Sequence, residues 1–361
     1  MISGFLLVDK PSGPTSHDII HTLRKITGEK KIGHAGTLDP FASGLLLVGV
    51  GEATKLLRHY VGLDKTYESI LRLGATSDTQ DKTGTITKLE TTLRPIPKSE
   101  IEKIIKKFIG KQKQLPPMYS AKKIAGRKLY ELAREGKEVS RKKADVEIYA
   151  IRILSYQFPL LTIQCSVSSG TYIRTLGHDI GTELGCGAYV EELRRTSISN
   201  FSVDDATALD DADWEESFIP MKTVLVSGTF DGIHEGHQSY FQQARQLGHR
   251  VFCIVGRSSV VERIKGKKPD FSDKKRVALV KACDEIDRVY LGIDDSDEKV
   301  FDFVASLQPD VVALGYDQEA YTHNLESEMK KRGLHTDVVR LKPFKETEQK
   351  NSLLKRKDPS A

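Results

Sequence analysis

Two stretches of this 361-residue chain gather side chains that can do chemistry. In the first, GHAGTLDPFASGLLLVGVGEATK (33–55), a single early acid, Asp39, stands among small residues. Pro40 disfavours helix at Asp39 and leaves it extended or in a turn. Gly33, Gly36 and Gly44 would let a flat ligand approach the backbone. A carboxylate on such a loop can act as a nucleophile or a general base. It can equally be a turn aspartate that caps the next segment. In the second stretch, GTFDGIHEGH (228–237), His234 and His237 fall on a loop and the first turn of a helix that follows an apolar strand. Helix N-termini favour phosphate, and two histidines three apart can donate to a triphosphate and stabilise charge that grows on it. A zinc pair is the competing use, but helical zinc pairs more often stand four apart and need a further ligand.

The elements that must hold these residues divide at DDATALDDADWEESFIP (204–220), an acidic stretch that ends in Pro220. Before it, LLLVGVGEAT and YESILRLGAT have strand character ended by glycine, and LTIQCSV (161–167) alternates as a strand does. Residues 99–109 place Ile101, Ile104, Ile105 and Phe108 on one helical face, with Ser99 as the expected cap. After the acidic stretch, TVLVSG, RVFCIVG, RVYLG and DVVALG alternate with helical patterns, which predicts a parallel sheet covered by helices. His234 and His237 then sit at the carboxyl end of a strand, where open sheets of this class bind ligands. The predicted organisation is a first domain over 1–210, an acidic linker over 211–220, a second domain over 221–345 and a basic tail over 346–361.

Composition narrows the class. With 39% hydrophobic and 29% charged residues the chain reads as globular. At roughly 150 residues per domain its length predicts two or three domains. No apolar run reaches the ~18 residues of a spanning helix, and the start, MISGFLLVDKPSG, lacks the features of a secretory signal. Cys165, Cys186, Cys253 and Cys283 are scattered, without a C-x-x-C pair, so the expected compartment is the reducing cytoplasm. The net charge of +5 is modest, but residues 101–150 carry 14 Lys and Arg against 6 acids. With Tyr119 and Tyr130 interleaved, that block suits a polyanion such as RNA, or is simply a solvated lysine-rich face.

Five ordered blocks of the first part resemble the tRNA pseudouridine synthase B family. They are VDKPSGPTSHD (8–18), the Asp39 segment, DKTYE (64–68), LPPMYSAKKIAGRKLYELAREG (115–136) and SSGTYIRTLGHDIGTELGCGAYVEELRRT (168–196). The resemblance implies an α+β pseudouridine synthase fold with a mixed, largely antiparallel sheet. It implies a cofactor-free isomerisation of the T-loop uridine of tRNA. By the same resemblance Asp39 would be the nucleophile, attacking either the uracil ring or the ribose carbon that bears it. Tyr67 would stack on the target base, and Arg174 would pair with Asp39 or with a nucleotide phosphate. His34 would help to hold the flipped-out T-loop, Lys10 and Pro11 would support the catalytic loop, and Tyr172 would line the pocket. These types suit the task, because an RNA base must leave its stack before a side chain can reach it and is then held by aromatic rings and arginine planes.

The second part resembles cytidylyltransferase-like nucleotidyltransferases, through GTFDGIHEGH, GKKPDFSDKKRVALV (266–280), DEIDRVYLG (284–292) and LGYDQ (314–318). LGYDQ is most similar to archaeal-type FAD synthases, and glycerol-phosphate cytidylyltransferases share much of the pattern. The resemblance implies an α/β Rossmann-like domain that takes Mg²⁺ and an NTP, ATP or CTP. Thr229, Phe230, His234 and His237 would lie at the nucleotide phosphates, and Asp317 at the nucleoside or metal-phosphate region. Two departures stand out. KNSLLKRK (350–357) keeps only Ser352 of the serine- and threonine-rich clasp usual in that family. There is also no room between 205 and 221 for the small RNA-binding domain that synthases of the first family commonly carry. The alternative for the whole chain is a small-molecule nucleotidyltransferase with a tRNA-binding first domain, or an RNA chaperone without catalysis.

Overall fold

Runs such as FLLV (5–8) and LLLV (45–48) have no polar face to offer water, and they form adjacent strands buried on both sides. The computed structural model describes residues 2–89, 95–119, 123–124, 127–128, 139–209, 214, 218–319 and 324–344. The chain forms two compact units, Met1–Pro220 and Met221–Ala361.

In the first unit the strands are β1 (Gly4–Lys10), β2 (Ile32–His34), β3 (Ser43–Val50), β4 (Lys65–Leu73), β5 (Ala75–Ser77), β6 (Ile86–Lys88), β7 (Gly110–Gln114), β8 (Lys123–Ile124), β9 (Arg127–Lys128), β10 (Ala144–Gln157), β11 (Leu160–Val167), β12 (Ala188–Ile198), β13 (Phe201–Ser202) and β14 (Phe218–Pro220). Among the described residues its α-helices are α1 (Ser16–Thr27), α2 (Arg58–Val61), α3 (Lys98–Lys107) and α4 (Ile173–Glu183). Ten strands form one sheet in the order β14-β1-β3-β12-β4-β11-β10-β7, with β2 on β3 and β13 on β12. Every pairing in it is antiparallel except β12 with β3. The expected α+β architecture is therefore what the chain adopts.

Strands β4 and β11 alternate buried and half-buried residues, so one face only packs on the core beneath α3 and α4. Helix α1 starts at a capping box in which Thr15 and Asp18 satisfy each other's backbone groups, and it ends at Gly28. Its apolar side, Ile19, Ile20 and Leu23, packs on Leu6, Val8, Leu46 and Val48. Helix α3 buries Ile101, Ile104 and Ile105 as the spacing predicts, but Ser99 is not its cap. Pro97 occupies that position without a side-chain bond, and its ring-fixed φ of −57° leads directly into the helix. Phe218–Pro220, inside the predicted linker, is a strand of the first sheet because it pairs with Gly4–Leu6. Residues 210–213 and 215–217 of the acidic stretch, Tyr130 of the basic block, and 345–361 with Ser352 lie outside the described residues.

The second unit continues with β15 (Thr223–Gly228), α5 (Glu235–Gln246), β16 (Arg250–Val255), α6 (Ser258–Lys265), α7 (Asp273–Lys281), β17 (Arg288–Leu291), α8 (Asp297–Ser306), β18 (Val311–Leu314), α9 (Leu325–Lys331) and β19 (Asp337–Arg340). All five strands are parallel, in the order β17-β16-β15-β18-β19. This is the Rossmann-like sheet the alternation predicted. Elements α6, α9 and β19 are additions. Their apolar positions are too few to stand out in the sequence, and they are held by packing, as Met329 and Leu325 are against Val312 and Leu314. Two apolar clusters cover the two faces of this sheet, one around Val226 and Phe241, the other around Leu225 and Phe252.

Candidate functional site

Asp39 sits in the loop between β2 and β3. That loop is laced to the segment that precedes α1. Lys10 is 0% exposed and its ammonium donates to the carbonyls of Pro11 (2.8 Å), Pro14 (2.8 Å) and Pro40 (3.2 Å). Ser12 donates to the Phe41 carbonyl, Gly13 N–H to the Pro40 carbonyl, and Ser16 both donates to and accepts from the Leu38 backbone. Prolines 11, 14 and 40 have no N–H to pair, and their carbonyls converge on one buried cation. Burial lowers the Lys10 pKa to about 8, against the pull of Asp39.

The Asp39 side chain keeps 32% of its surface exposed, whereas Arg174 behind it keeps 3%. Arg174 Nη2 donates to Oδ1 at 3.0 Å, and Nε lies 2.8 Å from Oδ2 as an ion-pair contact without the alignment of a hydrogen bond. The rest of the guanidinium is committed as well. Nη1 donates to the Thr79 carbonyl and to Asp81 Oδ2 (3.3 Å), and Nη2 to the Tyr119 carbonyl (2.7 Å). Asp81 is buried and accepts from Thr79 Oγ1, Thr83 N–H and Thr83 Oγ1. The result is a carboxylate–guanidinium–carboxylate row with one end open. Burial pushes the Asp39 carboxyl above the ordinary carboxylate range, Arg174 opposes that shift, and Asp81 adds to it.

The other expected residues fall around this row. Tyr67, on β4, is 8% exposed and belongs to the same apolar cluster as Leu38, Phe41 and Ala42 of the Asp39 loop. Tyr172 is the residue before α4. Its backbone is clamped by the buried Gln114 amide, which accepts from Tyr172 N–H (2.7 Å) and donates to its carbonyl (2.9 Å). That clamp aims α4, and with it Arg174, at the loop. His34 is half-buried at the end of β2, with Nδ1 buried and unpaired, and burial together with the nearby Arg195 lowers its pKa. The glycines need correction. A Cβ at Gly44, whose φ is +101°, would meet the Arg195 carbonyl oxygen at 2.3 Å, and one at Gly36 would meet the Arg195 and Lys65 side chains at 3.5 Å. These glycines admit the protein's own neighbours, not a flat ligand. Asp81, Gln114 and Arg195 were missed by the sequence reading. The only signal for Asp81 was a cluster of small hydroxyl residues around it in ATSDTQDKTG (75–84).

The second unit builds its site at the β15–α5 junction. His234 is the N-cap of α5 and its Nδ1 accepts from Gly236 N–H at 3.1 Å. The His234 and His237 rings stack, centroids 3.9 Å apart and 23° between planes. Phe230 is turned into the core, edge-on to His237, so it props that ring instead of facing a ligand. His237 Nδ1 is buried without a hydrogen-bond partner, and burial lowers this imidazole to about 4. Thr229 is fixed through its carbonyl by Arg276, a fully buried side chain that also donates to Gly256, Phe271, Ser258 and Asp273. Asp231 receives the Asp270 and Phe271 N–H groups and so ties loop 266–271 to the same turn. Asp317 is exposed after β18, and its charge reaches His237. Among the described residues no three His, Cys, Asp or Glu side chains converge to hold a metal ion. No helix among them is long and apolar enough to cross a membrane.

Comparison with known proteins agrees with this division. The family described as TruB family pseudouridylate synthase (N terminal domain) matches residues 24–173, and tRNA pseudouridylate synthase B C-terminal domain matches 174–220. The cytidylyltransferase-like family matches residues 225–355. A tRNA pseudouridine synthase B from Geobacter sulfurreducens is 46% identical over 209 residues, which is 58% of this chain and 68% of that protein. One from Chlamydia pneumoniae is 46% identical over 219 residues, 59% of this chain and 92% of its own length. Among solved structures, a Cbf5-Nop10-Gar1 complex aligns with a TM-score of 0.49 at 26% identity, over 67% of each chain. The two halves of one family thus span residues 24–220, which include Asp39, Tyr67 and Arg174, and the chain belongs to the tRNA pseudouridine synthase B family, a pseudouridine synthase of the TruB type.

Proposed function

We propose that this chain isomerises the T-loop uridine of tRNA, position 55, with Asp39 as nucleophile. The observation that supports it best is the exposed end of the Asp39–Arg174–Asp81 row. It is a carboxylate held in place from behind, charge-compensated, and open on the side where a base can arrive. In the reaction the N1–C1′ bond breaks, the uracil turns, a C1′–C5 bond forms, and the C5 proton leaves while N1 gains one. Atoms and electrons balance without a redox partner or cofactor. Asp39 can add to the uracil ring or to C1′, and either route needs it ionised, which is what Arg174 favours. In this reading Tyr67 would supply the aromatic wall, and His34 and Tyr172 would flank the approach. The tRNA T-arm would be tracked through its phosphates by the basic residues between 101 and 150.

The test is mass spectrometry of tRNA treated with the purified chain after a pseudouridine-specific label, alongside tritium release from tRNA labelled at uridine C5. The wild-type chain is expected to modify one T-loop uridine. Asp39→Asn is expected to lose turnover by at least about 10⁴-fold while it still binds tRNA. Turnover by the Asn variant would reject the assignment.

The stacked histidines favour a second activity in the other unit. We infer that it binds the phosphates of an NTP at His234 and His237, with Thr229 and Asp317 nearby, and transfers the nucleotidyl group to a phosphorylated acceptor with release of pyrophosphate. Pyrophosphate release, measured with ATP or CTP and FMN or glycerol phosphate, is the expected result. No release and no calorimetric binding with any pair would reduce this unit to a structural role.

A further inference from the structure

We propose that Arg195 is a positioning residue for Asp39, its guanidinium tying together the two stems of the loop that carries the carboxylate. The proposal rests on the reading of Asp39 as the reacting group. Arg195 is 1% exposed. Its Nε donates to the Leu45 carbonyl at 2.7 Å and its Nη2 to the Gly36 carbonyl at 3.1 Å. Gly36 and Leu45 bracket Asp39, so one planar fork spans the mouth of the loop.

The backbone of Arg195 is as constrained as its side chain. In β12 it lies opposite Gly44 of β3 on one side and opposite Tyr67 of β4 on the other. The strand bulges immediately after it, between Arg195 and Ser197, which re-aims the chain at this point. The contact with Gly44 is close enough to exclude any Cβ there. Both ends of the Asp39 loop and the strand that bears Tyr67 are therefore referenced to this one residue. A shift of Arg195 moves the nucleophile relative to the aromatic wall.

Charge balance does not account for the residue. Both of its hydrogen-bond acceptors are carbonyls and neither is a carboxylate. Its charge acts against protonation of the nearby basic groups Lys10, His34 and Lys65. Burying a cation that is not paired directly to a carboxylate is expensive, and an apolar side chain of similar length would fill the space without that cost. An apolar side chain cannot donate along two directions set by a rigid plane, and a lysine head group cannot reproduce the fork. Geometry is the remaining reason for a guanidinium here.

The experiment compares Arg195→Met, Arg195→Lys and Arg245→Met in the full chain. Arg245 belongs to the second unit, where its mostly buried guanidinium likewise donates to backbone carbonyls, those of His249 and Glu285. Single-turnover tritium release, filter-binding affinity for tRNA and thermal melting are read for each. Arg195→Met is expected to remain folded and to bind tRNA as the wild type does, while its single-turnover rate falls by about 100-fold, the scale of a small misplacement of reacting groups. Arg195→Lys should recover only part of that loss, and Arg245→Met should melt lower yet turn over at the wild-type rate. A folded Arg195→Met at the wild-type rate overturns the proposal, as does a parallel fall of rate and affinity. If Arg195→Met does not fold, Arg195→Lys decides, and the wild-type rate in that variant overturns it too. Absence of turnover in the wild-type chain would instead remove the reading of Asp39 beneath it.

Discussion

At Asp39 burial pushes a carboxyl up, and a guanidinium 2.8 Å away pulls it back. At His237 burial pushes an imidazole down to about 4, its stacked neighbour His234 pushes the same way, and only weak counter-effects oppose them. Asp39 precedes an apolar strand and His237 follows one, and both sites are framed by buried arginines that hold carbonyls. The difference is in who supplies the opposite charge. In the first unit the fold supplies it, so the carboxylate is compensated before any ligand arrives. In the second the ring stays neutral at physiological pH, and its buried Nδ1 has no protein partner. A ligand rich in negative charge would raise that imidazole's proton affinity on binding. A site that brings its own counter-ion suits a neutral substrate, and one that does not suits an anion.

The contrast can be broken first at Arg174. Arg174→Met leaves Asp39 and Asp81 facing each other without their shared cation. Turnover should fall by about 10²–10³-fold, and stability by about 3–5 kcal/mol because a buried charge has lost its partner. Tritium release and denaturant melts check both, and a variant that keeps its stability would show that the row is not the compensating unit described here. Next in size is His237→Ala. Calorimetry with ATP and CTP should show affinity about 10–100-fold weaker, the usual value of a hydrogen bond to a charged group. Unchanged affinity would place the nucleotide elsewhere.

Two smaller effects concern pH. Because the Asp39 carboxyl is raised, turnover should fall on the acid side at a pH above the ordinary carboxylate range, and that limb should move higher still in Arg174→Lys if the fork no longer pairs. For stability the sign is opposite to that of an ordinary salt-bridged acid. A raised carboxyl stabilises the fold below its unfolded pKa and loses that contribution as pH rises through the folded one, so Asp39→Asn should melt no lower than wild type at neutral pH. His237 works the other way. The unfolded imidazole takes a proton near pH ~6.5, the folded one at about 4, so the second unit should lose stability as pH falls across that window. NMR titration of His237 and melts between those pH values test it, and an imidazole that titrates near its ordinary value would remove the contrast between the sites.

How far the sites could be read in advance depended on sequence distance. Asp39, with Pro40 beside it, and the two histidines carry their meaning within a few residues, and the alternation of the second unit announces a parallel sheet. The face of α3 was legible, but its cap was not, because Pro97 starts the helix by fixed φ and not by the side-chain bond that Ser99 suggested. The glycines of the Asp39 loop misled for a related reason. Gly44 looks like an opening for a ligand until β12 arrives to press Arg195 against it.

By itself the sequence determined the ingredients: an acid on a loop that disfavours helix, a histidine pair at a strand's carboxyl end, and apolar patterns that separate a mixed sheet from a parallel one. These are local properties, set by backbone sterics and by the period at which apolar residues recur. Only the tertiary structure decided which charges meet. Arg174 lies 135 residues from Asp39 and 93 from Asp81, and Arg195 lies 159 from Gly36. No local pattern records such partners, because a buried ion pair is chosen by what the packed sheet brings within 3 Å, and the cost of burying a charge is settled only once its surroundings exist.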